Sequence, residues 1–443
     1  MAKRDNFSGQ FGFIAAAAGS AVGLGNIWRF PYICGQNGGG AFLLVFIICL
    51  VLIGLPIMLS EFSIGRWAQS NAYRAFKTLT PGKPWFLIGV MGIIAAFAIM
   101  SFYSAVGGWT IEYLIRSVTN SMSANPEEQF NSFIAGGYKP IIYQFVFLVT
   151  CLGIVTMGIK KGIELSNKIL MPLLVILLII LCVRAVTLPG ATEGLKFLFK
   201  PDFSKLTGNS VLAAMGHAFF SLSLGMGTMI TYGSYIKRKE NLISSTGLIA
   251  ASDIFISLLG GVLVFSAAAA FQIEPGAGPG LVFITLPGLF QQMAGGMIFS
   301  TIFFILLSIA ALTSAISLIE VVVSFCVEEI RIGRGAATAL VSLCIFLLGI
   351  LCSLSLGLMP ELGLFGKSFF DLMDFTASNI LLPLGGFFIA LYVGWALKKR
   401  ITVKELTSDG SQKFTGLRVF YFLIRYIVPV SILIVFVAGI LRG

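Results

Sequence analysis

Apolar residues run along this chain in long blocks, not in the short alternations of soluble helices or strands. Blocks at 11–35, 41–66, 86–116, 141–158, 163–187, 211–236, 242–272, 295–329, 336–356, 368–397 and 418–440 each approach or exceed the roughly 20 residues that cross a bilayer as a helix. The longest, such as 295–329, must tilt or extend past the bilayer. The first block is the odd one. In AAAAGSAVGLGNIWRFP, at 15–31, Gly19, Gly23 and Gly25 each cost about 1 kcal/mol relative to Ala in a helix, and Asn26 and Arg29 are expensive at membrane depth. A segment that must lie in the membrane but resists being one helix predicts a break. Such breaks survive only where protein or a water-filled cavity satisfies the freed backbone groups, and there loose carbonyls and half-helix ends bind ions or charged solutes. Five blocks later, SLSLGMG at 221–227 interrupts the sixth block in the same way. Five is odd, so the second half inserts with opposite topology. Paired glycine-interrupted spans in two inverted halves are the sequence pointer to a transporter's binding site.

Composition agrees. Of 443 residues, 57% are hydrophobic and 11% charged, far below the charged fraction of about 25% in soluble domains. The net charge of +11 comes from basic residues in the connections between blocks, which leaves no soluble basic domain for nucleic acid. Lys3, Arg4, Arg66, Arg74, Lys77, Lys83, Lys160, Lys161, Lys237, Arg238, Lys239, Arg331, Arg334, Lys398, Lys399 and Arg400 fall on one side. The positive-inside rule makes that side cytoplasmic, with the N-terminus inside and Gly443 outside. No small-residue cleavage site follows Lys3 and Arg4, so the first span is expected to be retained. The seven cysteines sit in or beside apolar blocks without metal-like spacing, as small buried hydrophobes. The external segment 117–140 lacks cysteine and a glycosylation acceptor, which points to a prokaryotic source and a bacterial inner membrane. The segment 272–293 is rich in Gly and Pro yet apolar. It reads either as a lid dipping into the external vestibule or as an ordinary loop with an interfacial helix.

Polar residues inside spans are functional candidates by default. They are Asn26, Arg29, Glu61, Tyr103, His217, Ser221, Ser223, Asp253, Ser257, Thr313, Ser314, Glu320, Asp371 and Asp374. Serine and threonine in a membrane helix commonly back-bond to their own backbone or let helices pack closely. The charged residues are harder to dismiss. Arg29 and Asp374, both near outer span ends, are positioned to pair across an external vestibule. Glu61 is expected to serve backbone amides beside a helix break. The single histidine, His217, cannot form a metal site alone; it is a helix contact or a proton relay. Asp253 is the sharpest case, because a buried carboxylate with no basic neighbour in its span must be neutralised by a cation or a proton. Oxygen atoms of Asp253, Asn26, Ser221 and freed carbonyls suit a hard monovalent cation.

GSAVGLGNIWRFPYICGQNGGGAF, GLPIMLSEFSIGR and SLSLGMGTMITYGSY together resemble the neurotransmitter:sodium symporter family, particularly its bacterial amino-acid transporters of eleven spans. The resemblance implies an all-α polytopic membrane protein forming a single transporter domain over 1–443. Its two inverted five-span repeats lie at 11–187 and 211–397, with spans 1 and 6 broken and an eleventh span at 418–440. It implies two Na+ ions. The first is held by the Ala21 carbonyl, Asn26, Ser221 and Asp253 with the substrate carboxylate, and the second by carbonyls of Gly19, Val22 and Ala310 with the hydroxyls of Thr313 and Ser314. The substrate carboxylate meets the Leu24 and Gly25 amides and Tyr103; its ammonium faces carbonyls of Ala21, Phe220 and Ser223. Ile99, Phe220, Met226 and Leu318 build the side-chain pocket. Arg29 with Asp374, and Tyr103 with Phe220, resemble the external gate, and Arg4 with Glu328 near Tyr235 the internal one.

The sequence departs from the family pattern in informative places. Phe46 stands where chloride-dependent members have tyrosine, and Asp253 where asparagine is usual. A fixed carboxylate can supply the charge chloride otherwise brings, so chloride independence is expected. His217 stands where glutamine is common, which leaves proton coupling open. Glu328 replaces aspartate, and its longer arm can shift the internal pairing to Glu329. Gly162 and Pro172 reproduce a spacing at which span 5 unwinds in some bacterial members, although Pro172 alone can simply kink a helix.

An amino-acid zwitterion fits half-helix dipoles that offer positive N-termini to a carboxylate and carbonyls to an ammonium. The apolar pocket and a flexible Met226 favour a bulky hydrophobic or aromatic amino acid (Trp, Tyr, Phe, Leu) over Gly or Ala. Sodium-coupled symport is the leading reading; proton-coupled uptake and a non-transporting sensor are the alternatives. An enzyme is not expected, since no nucleophile and base pair or metal cluster is present. Oligomeric state is not legible.

Overall fold

Long apolar helices dominate the computed structural model, which describes residues 5–273, 278–411 and 414–442. Among the described residues nine helices are long and apolar enough to cross a membrane. They are Gly40–Ala68, Phe86–Val118, Tyr138–Thr156, Ile159–Val186, Leu242–Phe271, Gly296–Ile330, Arg334–Ser355, Phe369–Ala396 and Leu417–Leu441. A tenth crossing is the bent pair Gln10–Ala21 and Gly25–Gln36, whose axes differ by 52°. The remaining expected span, the sixth, is split into Gly208–Ser221 and Thr228–Gly233, each too short to cross alone. Spans 1 to 11 below follow this chain order.

The two breaks are built differently. In span 1 the first helix ends at Ala21 and Val22 turns extended, with φ −80° and ψ 101°. In span 6 the chain takes positive φ at Ser223 (53°), Gly225 (78°) and Gly227 (75°), a left-handed region costly for residues with a Cβ. A Cβ on Gly225 would lie 2.5 Å from the Leu382 carbonyl oxygen of span 10. The unwound backbone therefore lies directly against its neighbour.

The broken spans are enclosed. The first half of span 1 packs on spans 5, 7 and 8, and the second half of span 6 packs on span 2. Glu61 of span 2 is fully buried and its Oε1 accepts the Gly225 amide at 2.8 Å, so a carboxylate from an intact helix serves a donor freed by the break.

Span 5 corrects an expectation. It is helical without interruption from Ile159 to Val186, through Pro172, and the non-helical step precedes it at Gly158 with φ 85°. Gly162 has a different task, since an added Cβ would run into the Ile154 carbonyl oxygen of span 4. Its missing side chain permits close approach.

The segment after span 7 carries a buried helix. In helix Leu281–Gln292, Leu281, Val282, Phe283, Leu286, Leu289 and Phe290 are all buried. Phe283 stacks on Phe130 with centroids 5.5 Å apart and meets Tyr113 at 5.1 Å and Trp109 at 5.7 Å edge-on. Phe130 lies on helix Pro126–Ala135, within the connection between spans 3 and 4. Aromatic pairs of this kind each add about 0.5–1.5 kcal/mol beyond their buried area.

At the basic end, fully buried Arg66 holds Glu405 at 2.5 Å and the Glu240 carbonyl at 2.6 Å. It thereby ties span 2 to the connections after spans 6 and 10. The sequence reading used Arg66 only as a topology marker.

Candidate functional site

The breaks of spans 1 and 6 face each other across a small cavity. Its lining includes Ala21, Leu24, Gly25, Ile99, Tyr103, Phe220, Ser223, Met226 and Leu318. Every residue expected to touch substrate therefore borders one space, although spans 1, 3, 6 and 8 supply them from positions far apart in sequence. The apolar part is Leu24, Ile99, Phe220, Met226 and Leu318. The polar part is the Tyr103 hydroxyl, Ser20, Ser223, Ser314 and the freed backbone. The Tyr103 hydroxyl is buried and faces the Ser314 hydroxyl and the Leu24 backbone at the cavity wall. Ser223, in its left-handed conformation, donates its hydroxyl to the Ser20 carbonyl at 2.9 Å. That bond joins the two breaks directly.

Asn26, Ser221 and Asp253 meet at the cavity's edge and are all buried. Asn26 Nδ2 donates to Asp253 Oδ1 at 2.7 Å and to Ser257 Oγ at 2.8 Å, while its Oδ1 accepts the Gly23 amide at 3.0 Å. Ser221 Oγ donates to Asp253 Oδ2 at 3.1 Å. Among the described residues no basic side chain pairs with Asp253. Two side chains, from spans 1 and 6, thus converge on the Asp253 carboxylate of span 7, Asn26 through its amide nitrogen and Ser221 through its hydroxyl; the carboxylate and hydroxyl oxygens are of the kind hard monovalent cations prefer.

The residues expected at a second ion position lie where spans 1 and 8 pack. Gly19, Val22, Ala310, Thr313 and Ser314 are buried there. Ser314 Oγ donates to the Ser20 carbonyl at 3.4 Å, and a Cβ on Gly23 would lie 2.5 Å from that hydroxyl. Thr313 Oγ1 donates within its own helix to Ile309 O at 3.1 Å and Ala310 O at 3.2 Å, which leaves its lone pairs free to accept.

His217 is buried between Phe46, with centroids 5.1 Å apart, and Phe30, at 5.7 Å. Neither ring nitrogen has a hydrogen-bond partner among the described residues.

The gates are only partly as expected. Arg29 and Asp374 form no ion pair. The Arg29 guanidinium lies over the Phe220 ring at 4.4 Å, and Asp374 instead accepts the Ser378 hydroxyl at 2.8 Å, one turn along its own helix. A cation over an aromatic face gains about 0.5–2 kcal/mol, and this contact draws Arg29 down toward the cavity. Tyr103 and Phe220 share the lining without a ring contact. Arg4 lies outside the described residues.

At the basic end, Glu328 accepts from the Asn71 amide and from Asn71 Nδ2, both at 2.9 Å, while Glu329 pairs with Arg74 at 2.7 Å. The Tyr235 hydroxyl donates to Glu320 at 2.7 Å, and Arg334 holds the other oxygen of that fully buried carboxylate at 2.5 Å. Glu320 stood out in the sequence as an intramembrane acid. Its partner did not, since Arg334 lies beyond the turn into the next span.

A family model described as the Sodium:neurotransmitter symporter family matches residues 4–132 and 140–442. The chain belongs to this family. An uncharacterized sodium-dependent transporter of Bacillus subtilis (strain 168) is 40% identical over 434 residues, covering 97% of this chain and 96% of that protein. One from Haemophilus influenzae is 39% identical over 452 residues, covering 99% and 98%. The crystal structure of MhsT in complex with L-phenylalanine superposes with a TM-score of 0.91 at 45% identity, covering 99% of this chain and 100% of that one. The protein is thus a multi-pass, sodium-dependent membrane transporter and not an enzyme.

Proposed function

We propose that the chain is a symporter that couples Na+ entry to uptake of a hydrophobic or aromatic L-amino acid by alternating access, without chloride. In this reading it sits in a bacterial inner membrane with its N-terminus in the cytoplasm. The observation that carries the reading is the single cavity between the two breaks, with an apolar wall of Leu24, Ile99, Phe220, Met226 and Leu318 and a polar wall of freed backbone and hydroxyls. A zwitterion with a large apolar side chain matches both walls, and the L-phenylalanine bound by MhsT is a molecule of that class.

The first Na+ rests on Asn26, Ser221, Asp253 and the Ala21 carbonyl, beside the substrate carboxylate. Coupling then follows from shared groups, because the ion orders the backbone that the substrate must meet. The second Na+ rests on the Gly19, Val22 and Ala310 carbonyls with Thr313 and Ser314, and binds spans 1 and 8 together. The fixed charge of Asp253 takes the place of a bound anion, and Phe46 lacks the hydroxyl that would help hold one. Release toward the cytoplasm requires the basic end to loosen, where Phe7 N bonds the Tyr235 carbonyl at 3.0 Å and Lys237 bonds the Ser8 carbonyl at 2.8 Å.

The test is uptake of labelled amino acids into proteoliposomes under imposed gradients. Accumulation of Phe, Leu or Trp driven by sodium and indifferent to chloride is expected. Uptake indifferent to sodium but abolished by collapsing a proton gradient would favour proton coupling. Saturable binding without accumulation would mark a sensor.

A further inference from the structure

Asn167 belongs to none of the groups described so far. It lies on span 5, three helical residues beyond Glu164, and is fully buried. Its Nδ2 donates to the Ile163 carbonyl of its own helix at 2.8 Å, which fixes the carboxamide plane. The other end, Oδ1, is buried and has no hydrogen-bond partner among the described residues. It points at span 1, since an added Cβ on Gly19 would collide first with Asn167 Oδ1 and then with Met171 at 3.4 Å. The absent side chain of Gly19 is what lets this oxygen reach the span 1 backbone. Span 5 also packs on span 8, so the oxygen enters the region where spans 1, 5 and 8 converge.

A buried carboxamide oxygen without a donor is destabilising, and membrane interiors offer no water to compensate. Such a group is satisfied by a ligand that carries positive charge or O–H bonds. The groups around it favour a cation. The Gly19 carbonyl lies in the segment of span 1 that loosens at Val22, while the Thr313 and Ser314 oxygens approach from span 8. We propose that Asn167 is a member of the second sodium site, its Oδ1 accepting from the ion's shell on the side facing span 5. Through Asn167, span 5 senses whether that ion is present, so the ion ties together three spans instead of two. This assignment rests on the proposed second sodium position at Gly19, Val22, Ala310, Thr313 and Ser314.

The test uses the purified full chain, with sodium titrated against constant ionic strength while stabilisation and labelled amino-acid binding are read. Asn167→Leu keeps the volume and removes the oxygen. Its half-saturating sodium concentration should rise by about tenfold, the equivalent of about 1.4 kcal/mol, while its melting temperature without sodium stays within a degree or two of wild type. Asn167→Asp, which restores an oxygen, should bring sodium dependence back toward wild type or below it. A half-saturating concentration within twofold of wild type in Asn167→Leu overturns the assignment. If Asn167→Leu does not fold, Asn167→Ser and Asn167→Asp carry the comparison, and equal sodium dependence in both and in wild type overturns it as well. Wild-type protein that ignores sodium altogether would instead remove the functional reading on which the assignment rests.

Discussion

Asp253→Asn separates binding from folding better than any other substitution in the site. It preserves shape and one acceptor oxygen but removes the only charge in the cluster of Asn26, Ser221 and Asp253. Wild-type Asp253 is fully buried and holds two side-chain donors, with no basic partner among the described residues. A sodium ion about 2.4 Å from a carboxylate oxygen gains about 7 kcal/mol at an effective dielectric of about 20. Dehydrating both charges offsets most of that. If about 2–3 kcal/mol survives as preference for Asp over Asn, sodium binding weakens by about 30–150-fold. The assay is thermal unfolding across a sodium titration at fixed ionic strength. At sodium 100-fold above the wild-type dissociation constant the ion stabilises the folded state by about 2.7 kcal/mol, and a site 100-fold weaker gains only about 0.4 kcal/mol. Without sodium the order changes, because the variant no longer buries an uncompensated carboxylate; it should melt at or above wild type. An unchanged sodium response would refute the ion assignment. Equal destabilisation with and without sodium would make Asp253 a structural residue only.

Four further outcomes are expected. Gly225→Ala forces a Cβ into a φ of 78° and to 2.5 Å from the Leu382 carbonyl; it should abolish uptake and lower the melting temperature, with at least about 1–2 kcal/mol from the backbone alone. Glu61→Ala strands the Gly225 amide and should destabilise by about 1–3 kcal/mol in thermal melts, whereas Glu61→Gln, which keeps an acceptor, should lose less. Arg334→Ala leaves buried Glu320 with only the Tyr235 hydroxyl and should cost about 3–5 kcal/mol; adding Glu320→Gln should recover most of it in a double-mutant cycle. Phe46→Tyr combined with Asp253→Asn should make uptake respond to external chloride, and indifference to chloride in a functional double variant would undercut the fixed-charge argument.

The spans were legible because bilayer thickness imposes a length that hydropathy reports directly. The two breaks were legible for a related reason: glycines in GLGN and GMG have no purpose in an uninterrupted apolar helix. Partners across spans were far less so. Asn167 escaped notice although it is polar within a span, since its role depends on Gly19 lying opposite, and no spacing along the chain reports that. Glu320 was visible, but Arg334 was read as a topology marker in a turn. The pairing of Arg29 with Asp374 follows from their span ends and from the family resemblance; in this structure the two are not bonded and Arg29 lies over the Phe220 face instead, a matter of packing that sequence order does not report. The segment 272–293 gives no sign in sequence that Phe283 packs among Phe130, Tyr113 and Trp109.

The two breaks behave as one unit, and that explains how ion and amino acid can be coupled through so few residues. Ser223 reaches from the break in span 6 to the Ser20 carbonyl beside the break in span 1, while Glu61 holds Gly225 from outside. Asn26 accepts the Gly23 amide within the span 1 break and turns its other end to Asp253, which also receives Ser221 from span 6. An ion entering the Asp253 cluster must compete with these donors for the same oxygens, so its arrival re-sorts hydrogen bonds in both breaks together. Those breaks form much of the cavity wall. A ligand that binds one sorting better than the other shifts the equilibrium between them by no more than its differential affinity, and reciprocity then requires the amino acid to favour the ion as strongly as the ion favours it.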